Sequence, residues 1–263
     1  FLNIYGKNRL FVSDDDGTKN EKEAASIKIA CVDIGGGTTD LMVTTFFQDD
    51  EFKLTPIQNF REGFRKAGDD LLCIIIEQLI IPKLREDLAE KNGLNPKLVD
   101  AVLMNCLAKS VAGRSAAKRH RQRQFTIKVL APLALLVLNA EFSSSKINTV
   151  CYGDLQDQHA ADEVKSFIDD EVSAKFPNSD WSIQGFSFSF SEVEVREVVE
   201  TCFHFIFKNI SEVIFHSDVD CVLLTGRPSR NNLITELFKS CCSTGPSRIV
   251  SMSKYYTGPW YPF

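Results

Sequence analysis

Asp33-Ile34-Gly35-Gly36-Gly37-Thr38-Thr39-Asp40 is the stretch on which the fold turns. It closes the run Ile27-Lys28-Ile29-Ala30-Cys31-Val32, whose apolar, β-branched character predicts a strand, and residues 41–47 read as a second strand returning from the turn. Three successive glycines permit positive φ and let backbone N–H groups approach a phosphate without side-chain clash. Thr38 and Thr39 add hydroxyl donors. Asp33, at a strand end, and Asp40, just past the turn, are placed to hold Mg²⁺ through water, because that ion keeps most of its hydration shell. Two other phosphate-binding patterns are excluded. A dinucleotide-binding turn needs glycine where Asp40 stands and a helix afterwards, and a P-loop needs the Gly-Lys-Ser/Thr that this stretch lacks. The bland alternative is an ordinary glycine-rich hairpin, which does not account for aspartates on both flanks.

Outward from the turn, residues 52–60 form a third strand of imperfect period, with Pro56 assigning it to a sheet edge. From Asp69 the period becomes helical, with Leu72, Ile75, Ile76, Leu79 and Ile80 on one face. Asn95-Pro96 opens a helix to about Ser110. Residues 122–140 form another, apolar nearly all round, with Pro132 starting or kinking part of it. Residues 141–185 are weakly patterned, with a helix over 160–176 and a turn after it. Phe186-Ser187-Phe188-Ser189-Phe190 alternates as a strand, and Ser191 with Glu194 forms a capping box for a helix whose stripe is Val195, Val198, Val199, Cys202, Ile206, Ile210, Val213 and Ile214. Strand 221–224, a tight turn at 225–230, helix 231–242 and strand 248–252 complete the order. It is that of an α/β fold with an inserted, mostly helical subdomain.

Composition bounds the function. Hydrophobic residues at 44% and charged residues at 25% match a soluble globular protein of one or two domains. A net charge of −5 argues against wholesale nucleic-acid or membrane binding. The eight cysteines form no C-x-x-C pair and mostly sit in apolar runs, where a thiol acts as a small buried hydrophobe; this suits a reducing, cytoplasmic setting. The run 129–138 is too short to span a bilayer. The cluster Arg114, Lys118, Arg119, His120, Arg121 and Arg123 reads as a solvated helix end, with contact to nucleic-acid phosphate as the sharper alternative. Residues 12–25 are linker-like, and the chain reads as a segment of a longer protein.

These motifs resemble the actin/Hsp70/sugar-kinase superfamily of ATPases, and residues 33–40 look like its second phosphate motif. The resemblance implies that Gly35, Gly36 and Gly37, with Thr39, cradle the phosphates of ATP, that Asp33 and Asp40 hold Mg²⁺, and that Thr38 helps place the attacking water. Ala67-Gly68-Asp69-Asp70-Leu71 looks like the family's acidic segment beside the ribose, with Ala67 replacing its first glycine; it reads equally well as a plain helix start. Leu223-Leu224-Thr225-Gly226-Arg227-Pro228-Ser229-Arg230 looks like the adenosine motif, which would set Gly226 against the nucleotide and Arg230 on the adenine. Arg227 replaces the second glycine, so its side chain either obstructs adenosine or contacts phosphate or ribose. Lys128 is the one residue of 127–132 suited to the adenosine contact that Hsp70-like members make from their insert helix.

GGGTTDLM, LLTGRPSR and the closing Thr257-Gly258-Pro259-Trp260-Tyr261-Pro262-Phe263 resemble the SrfB-type bacterial virulence-factor family. The fold so implied is one RNase H-like lobe of an actin-type ATPase. Residues 27–90 and 186–263 would form the lobe, 91–185 the insert, and 1–26 a linker or the end of a preceding segment. The remainder of the parent chain would supply the first lobe. The implied function is that of an ATP- and Mg²⁺-binding lobe inactive on its own, the alternative being a degenerate, non-catalytic scaffold.

Overall fold

The computed structural model describes residues 25–48, 53–107, 113, 115–142, 147–155, 164 and 166–254. Arg114 and the 257–263 motif lie outside them, as does most of the linker. The chain forms two compact units, one holding the described residues up to Asp70 and from Val199 onward, the other Leu71–Val198.

In the first unit, strands β1 (Ala25–Ile34), β2 (Thr39–Gln48) and β3 (Leu54–Phe64) form the expected antiparallel meander. The sheet is five-stranded and mixed, in the order β3-β2-β1-β6-β7, with β6 (Cys221–Thr225) and β7 (Ile249–Ser251) parallel to β1. β3 is an edge strand, the place to which Pro56 assigned it. Val43 pairs with Phe60 but Thr44 with Gln58, so Asn59 is a bulge; its side-chain oxygen accepts from the Thr45 hydroxyl at 2.7 Å.

Alternation along the central strands sorts side chains by face. Ala30 stands between Val43 and Val222, and Val32 between Leu41 and Leu224, all of them fully buried. Helix α7 (Glu192–His216) carries the predicted stripe, of which only Val213 is not fully buried. Phe203 and Phe207 also belong to its buried face, one stacked on the other at 5.0 Å, with Phe207 edge-on to Phe238 of helix α8 (Asn232–Cys241) at 5.2 Å. The capping box forms as read: Glu194 Oε2 accepts from the Ser191 N–H, and Ser191 Oγ accepts from the Glu194 N–H. Asn231 caps α8, its side-chain oxygen accepting from the Leu233 and Ile234 N–H groups.

The second unit holds α1 (Gly68–Ile75) beyond Asp70, then α2 (Ile81–Glu86), α3 (Pro96–Leu107), α4 (Ala116–Phe125), α5 (Ala131–Leu138) and α6 (Phe167–Lys175). Wide π turns at Ile76–Ile80 and Thr126–Leu130 precede Pro82 and Pro132. Proline has no N–H and its ring crowds the carbonyl one turn back, and the wider turn removes that crowding without breaking the helix. In the first of these helices the buried positions are Leu71, Ile75, Ile76, Leu79 and Ile80, so Leu71 takes the place expected of Leu72.

Two features of the structure lie beyond the sequence pattern. The strand β5 (Ser187–Phe190) does not join the large sheet; it pairs with β4 (Asn148–Cys151), in the weakly patterned stretch 141–185. The compact units divide after Asp70 and again after Val198, the second division falling within α7. The eight cysteines form no disulfide; Cys106, Cys202 and Cys221 are buried as expected, whereas Cys73 is exposed despite its apolar run. No described helix is long and apolar enough to cross a membrane.

Phe207→Ala should lower unfolding stability by about 3–5 kcal/mol, read by urea denaturation, because it empties the centre of the α7–α8 contact. The Cys221 thiol is pushed up to about 11, by burial first and by the neighbouring Asp220 carboxylate second. The folded chain therefore holds that proton more tightly than the unfolded one. The stabilisation is complete below the ordinary thiol value and is lost as pH rises through the folded value. Melting temperature should fall over this alkaline range, and fall less steeply in Cys221→Ala.

Candidate functional site

The glycine turn, the start of α1 and the turn after β6 are far apart in sequence and meet at one end of the large sheet. Asp33 and Asp40 are direct cross-strand partners at the β1–β2 end. Asp33 is flanked on its other side by Thr225 of β6, and Asp40 by Gly63 of β3. Opposed residues share a face of a sheet, so Gly63, Asp40, Asp33 and Thr225 form one row. Asp33 is exposed and Asp40 half-buried.

Each carboxylate is held by one hydroxyl. Thr225 Oγ1 donates to Asp33 Oδ1 at 2.9 Å, and Thr38 Oγ1 donates to Asp40 Oδ2 at 3.0 Å. Among the described residues, Asp33 Oδ2 and Asp40 Oδ1 have no protein partner. Like charges placed directly opposite are mutually repulsive, and no lysine or arginine forms an ion pair with either among the described residues. Below them on the same face lies Cys31, whose thiol is raised by burial and by the Asp33 charge against the opposing effect of the Thr225 hydroxyl.

The turn itself is rigidly made. The Gly35 N–H donates to the Thr38 carbonyl at 2.8 Å, while the Gly35 and Gly36 carbonyls accept from the Gly68 and Asp69 N–H groups at 3.0 and 2.8 Å. Helix α1 thus uses its first N–H groups to hold the turn. The N–H groups of Gly36, Gly37 and Thr38 are left without a partner among the described residues, and all three residues are exposed. Three successive backbone donors are therefore presented to solvent.

Close backbone approach explains two further glycines. Gly226 has φ +89°, and a Cβ built on it would fall 2.0 Å from the Ile34 carbonyl oxygen and 2.8 Å from Asp33 Oδ1. A Cβ on Gly68 would meet Pro228 Cγ at 2.9 Å and the Gly35 oxygen at 3.3 Å. The turn after β6 is fixed from within, Ser229 Oγ donating to the Gly226 carbonyl at 2.7 Å and Thr235 Oγ1 to that of Ser229 at 3.0 Å.

The structure brings Asp33, Gly35, Gly36, Gly37, Thr38, Asp40, Gly68, Asp69 and Gly226 together, and it keeps Arg227 and Arg230 exposed on the adjoining 3₁₀ turn Pro228–Arg230 and its cap. It places Thr39 differently. Thr39 is fully buried and its hydroxyl donates to the Lys66 carbonyl at 2.7 Å, so it braces the turn and has no donor to offer a phosphate. Lys128 lies in the second unit, exposed on a π turn. Within the basic cluster, Lys118 pairs with Glu171, and Arg121 pairs with Asp170 while lying 5.5 Å from the Phe167 ring centroid. Those cations dock α4 on α6. Residues that the sequence left without a role are Thr225 and Gly63, whose partners depend on strand register and could not be read from spacing.

The family description "Virulence factor SrfB" matches residues 3–263, almost the whole chain. The chain belongs to the SrfB virulence-factor family. The resemblance of GGGTTDLM and LLTGRPSR to that family is therefore upheld, and in this SrfB chain both stretches lie at the site just described. No curated protein matches the chain.

Gly226→Ala should destabilise the first unit by more than about 2 kcal/mol, since the methyl group collides with backbone rather than a mobile side chain and the φ is unfavourable for alanine. Circular dichroism melting checks this; a melt within two degrees or so of the parent would refute the close approach.

Proposed function

We propose that this SrfB chain is the Mg²⁺- and ATP-binding lobe of an actin/Hsp70-like ATPase, RNase H-like in fold, which depends on the remainder of its parent chain for turnover. The observation that carries the reading is the cross-strand pair Asp33–Asp40 beside the unpaired N–H groups of Gly36, Gly37 and Thr38. A phosphate on those donors would lie beside two carboxylates, an arrangement that repels an anion unless a divalent cation stands between. Among the described residues no group of three or more His, Cys, Asp or Glu side chains is arranged to hold a metal by itself. The donor set fits an ion that arrives with phosphate and keeps much of its water, as Mg²⁺ does with one or two carboxylates.

Asp33 and Asp40 would hold the ion, supplying charge compensation at the phosphates. Gly35 to Gly37 would bring backbone against the phosphate chain, and the exposed Thr38 hydroxyl, already bonded to Asp40, would orient water. Gly68 and Asp69 would border the ribose, and Gly226 the adenosine, with Arg227 and Arg230 at its rim. Catalysis in such a site is positioning and electrostatics rather than covalent chemistry, so one lobe binds nucleotide without completing the water-activating arrangement.

Calorimetry of the 263-residue chain should show weak Mg-ATP binding, with Kd in roughly the upper-micromolar to millimolar range, and no steady-state phosphate release. Asp33→Ala should weaken binding at least about tenfold with an unchanged melt. Absence of heat with the parent chain would favour a non-catalytic scaffold instead.

A further inference from the structure

Thr225 is the last residue of β6 and the direct neighbour of Asp33 in the parallel β1–β6 pairing. Two constraints converge on the Asp33 carboxylate from that strand. The Thr225 hydroxyl donates to Oδ1 at 2.9 Å, and the Gly226 backbone stands so close that a Cβ there would be 2.8 Å from the same oxygen. The hydroxyl is itself fixed, because Thr225 sits in the ladder and the next turn is closed by the Ser229 and Thr235 hydroxyls. On the neighbouring strand Asp40 has matching restraints: Thr38 donates to Oδ2, and Oδ1 lies over Gly63, 3.0 Å from where a Cβ would be. One oxygen of each carboxylate is engaged and one is left without a protein partner.

We infer that Thr225 is a positioning residue for the cation of this site, holding Asp33 by Oδ1 so that Oδ2 remains for the ion or its bound water. The inference rests on the Mg-ATP reading and adds to it a direct link between the turn after β6 and the phosphate end of the site. A hydroxyl at this place serves the ion, whereas a purely structural strand end would be served by valine, which is β-branched like threonine and likewise favoured in strands.

The test compares the full 263-residue chain with Thr225→Val, Thr225→Ser and Asp33→Ala, titrated calorimetrically with ATP in Mg²⁺ and with ATP in EDTA. Thr225→Val should weaken Mg-ATP binding about tenfold, the scale of one hydrogen bond to a charged group, while binding in EDTA and the melting temperature stay at the parent's values. Thr225→Ser should restore Mg-ATP binding to within about twofold. If Asp33→Ala loses the Mg²⁺ dependence and Thr225→Val keeps it, the inference is overturned and the nucleotide reading stands. If Thr225→Val weakens binding equally in EDTA, or serine does not rescue, the role is structural and the inference is again overturned. A parent chain that binds no ATP under either condition overturns both.

Discussion

The contact on which the rest of the first unit depends is that of the Gly226 backbone with the end of β1. No side chain fits between Gly226 and the Ile34 carbonyl. Because the two backbones touch, the strand that follows α7 can end level with the strand that enters the glycine turn, and Thr225 comes beside Asp33. The same turn presses Pro228 against Gly68, and Gly68 donates to Gly35. Three separate segments of the chain are thus locked through backbone atoms and the Pro228 ring. Side-chain packing alone would hold them less closely, since backbone hydrogen bonds and excluded volume leave little room for adjustment.

This arrangement makes the site both stiff and electrostatically unsettled. The turn's carbonyls are satisfied by helix α1, its remaining N–H groups are presented to solvent, and two carboxylates face one another across the ladder with no cation paired to them among the described residues. Such repulsion is tolerable at an exposed edge in water and becomes attraction once a divalent ion is shared. Construction and charge are therefore carried by different groups: glycine and threonine contacts build the turn, and the aspartates give it its charge. Thr39 illustrates the division, since one threonine of the pair is buried as a brace while its neighbour Thr38 stays outside.

The second unit follows a different logic. Its helices are held by buried apolar faces, by paired charges such as Lys118–Glu171, and by the Trp181 indole N–H donating to buried Asp87 at 2.8 Å. The basic residues of α4 that suggested a nucleic-acid surface are partly engaged in this way. Their pairing with α6 joins residues some fifty positions apart, as the separation of Lys118 from Glu171 shows.

The sequence by itself determined the local structure: the β1–β2 hairpin from its apolar run, the tight turn of residues 33–40 from its three glycines, and the α7 capping box from Ser191 and Glu194. These are properties of short windows, where backbone freedom, hydrogen-bonding groups and hydrophobic period act within a few residues. Only the tertiary structure decided which strand accepted β5, because a strand of period two carries no address for its partner. It alone set Asp33 opposite Asp40 in register, buried Phe203 and Phe207 beyond the predicted stripe, turned Thr39 inward and brought Thr225 to the Asp33 carboxylate. These depend on strand register and on contacts that short sequence windows do not carry, and Thr225 reaches Asp33 because Gly226 lets two backbones approach.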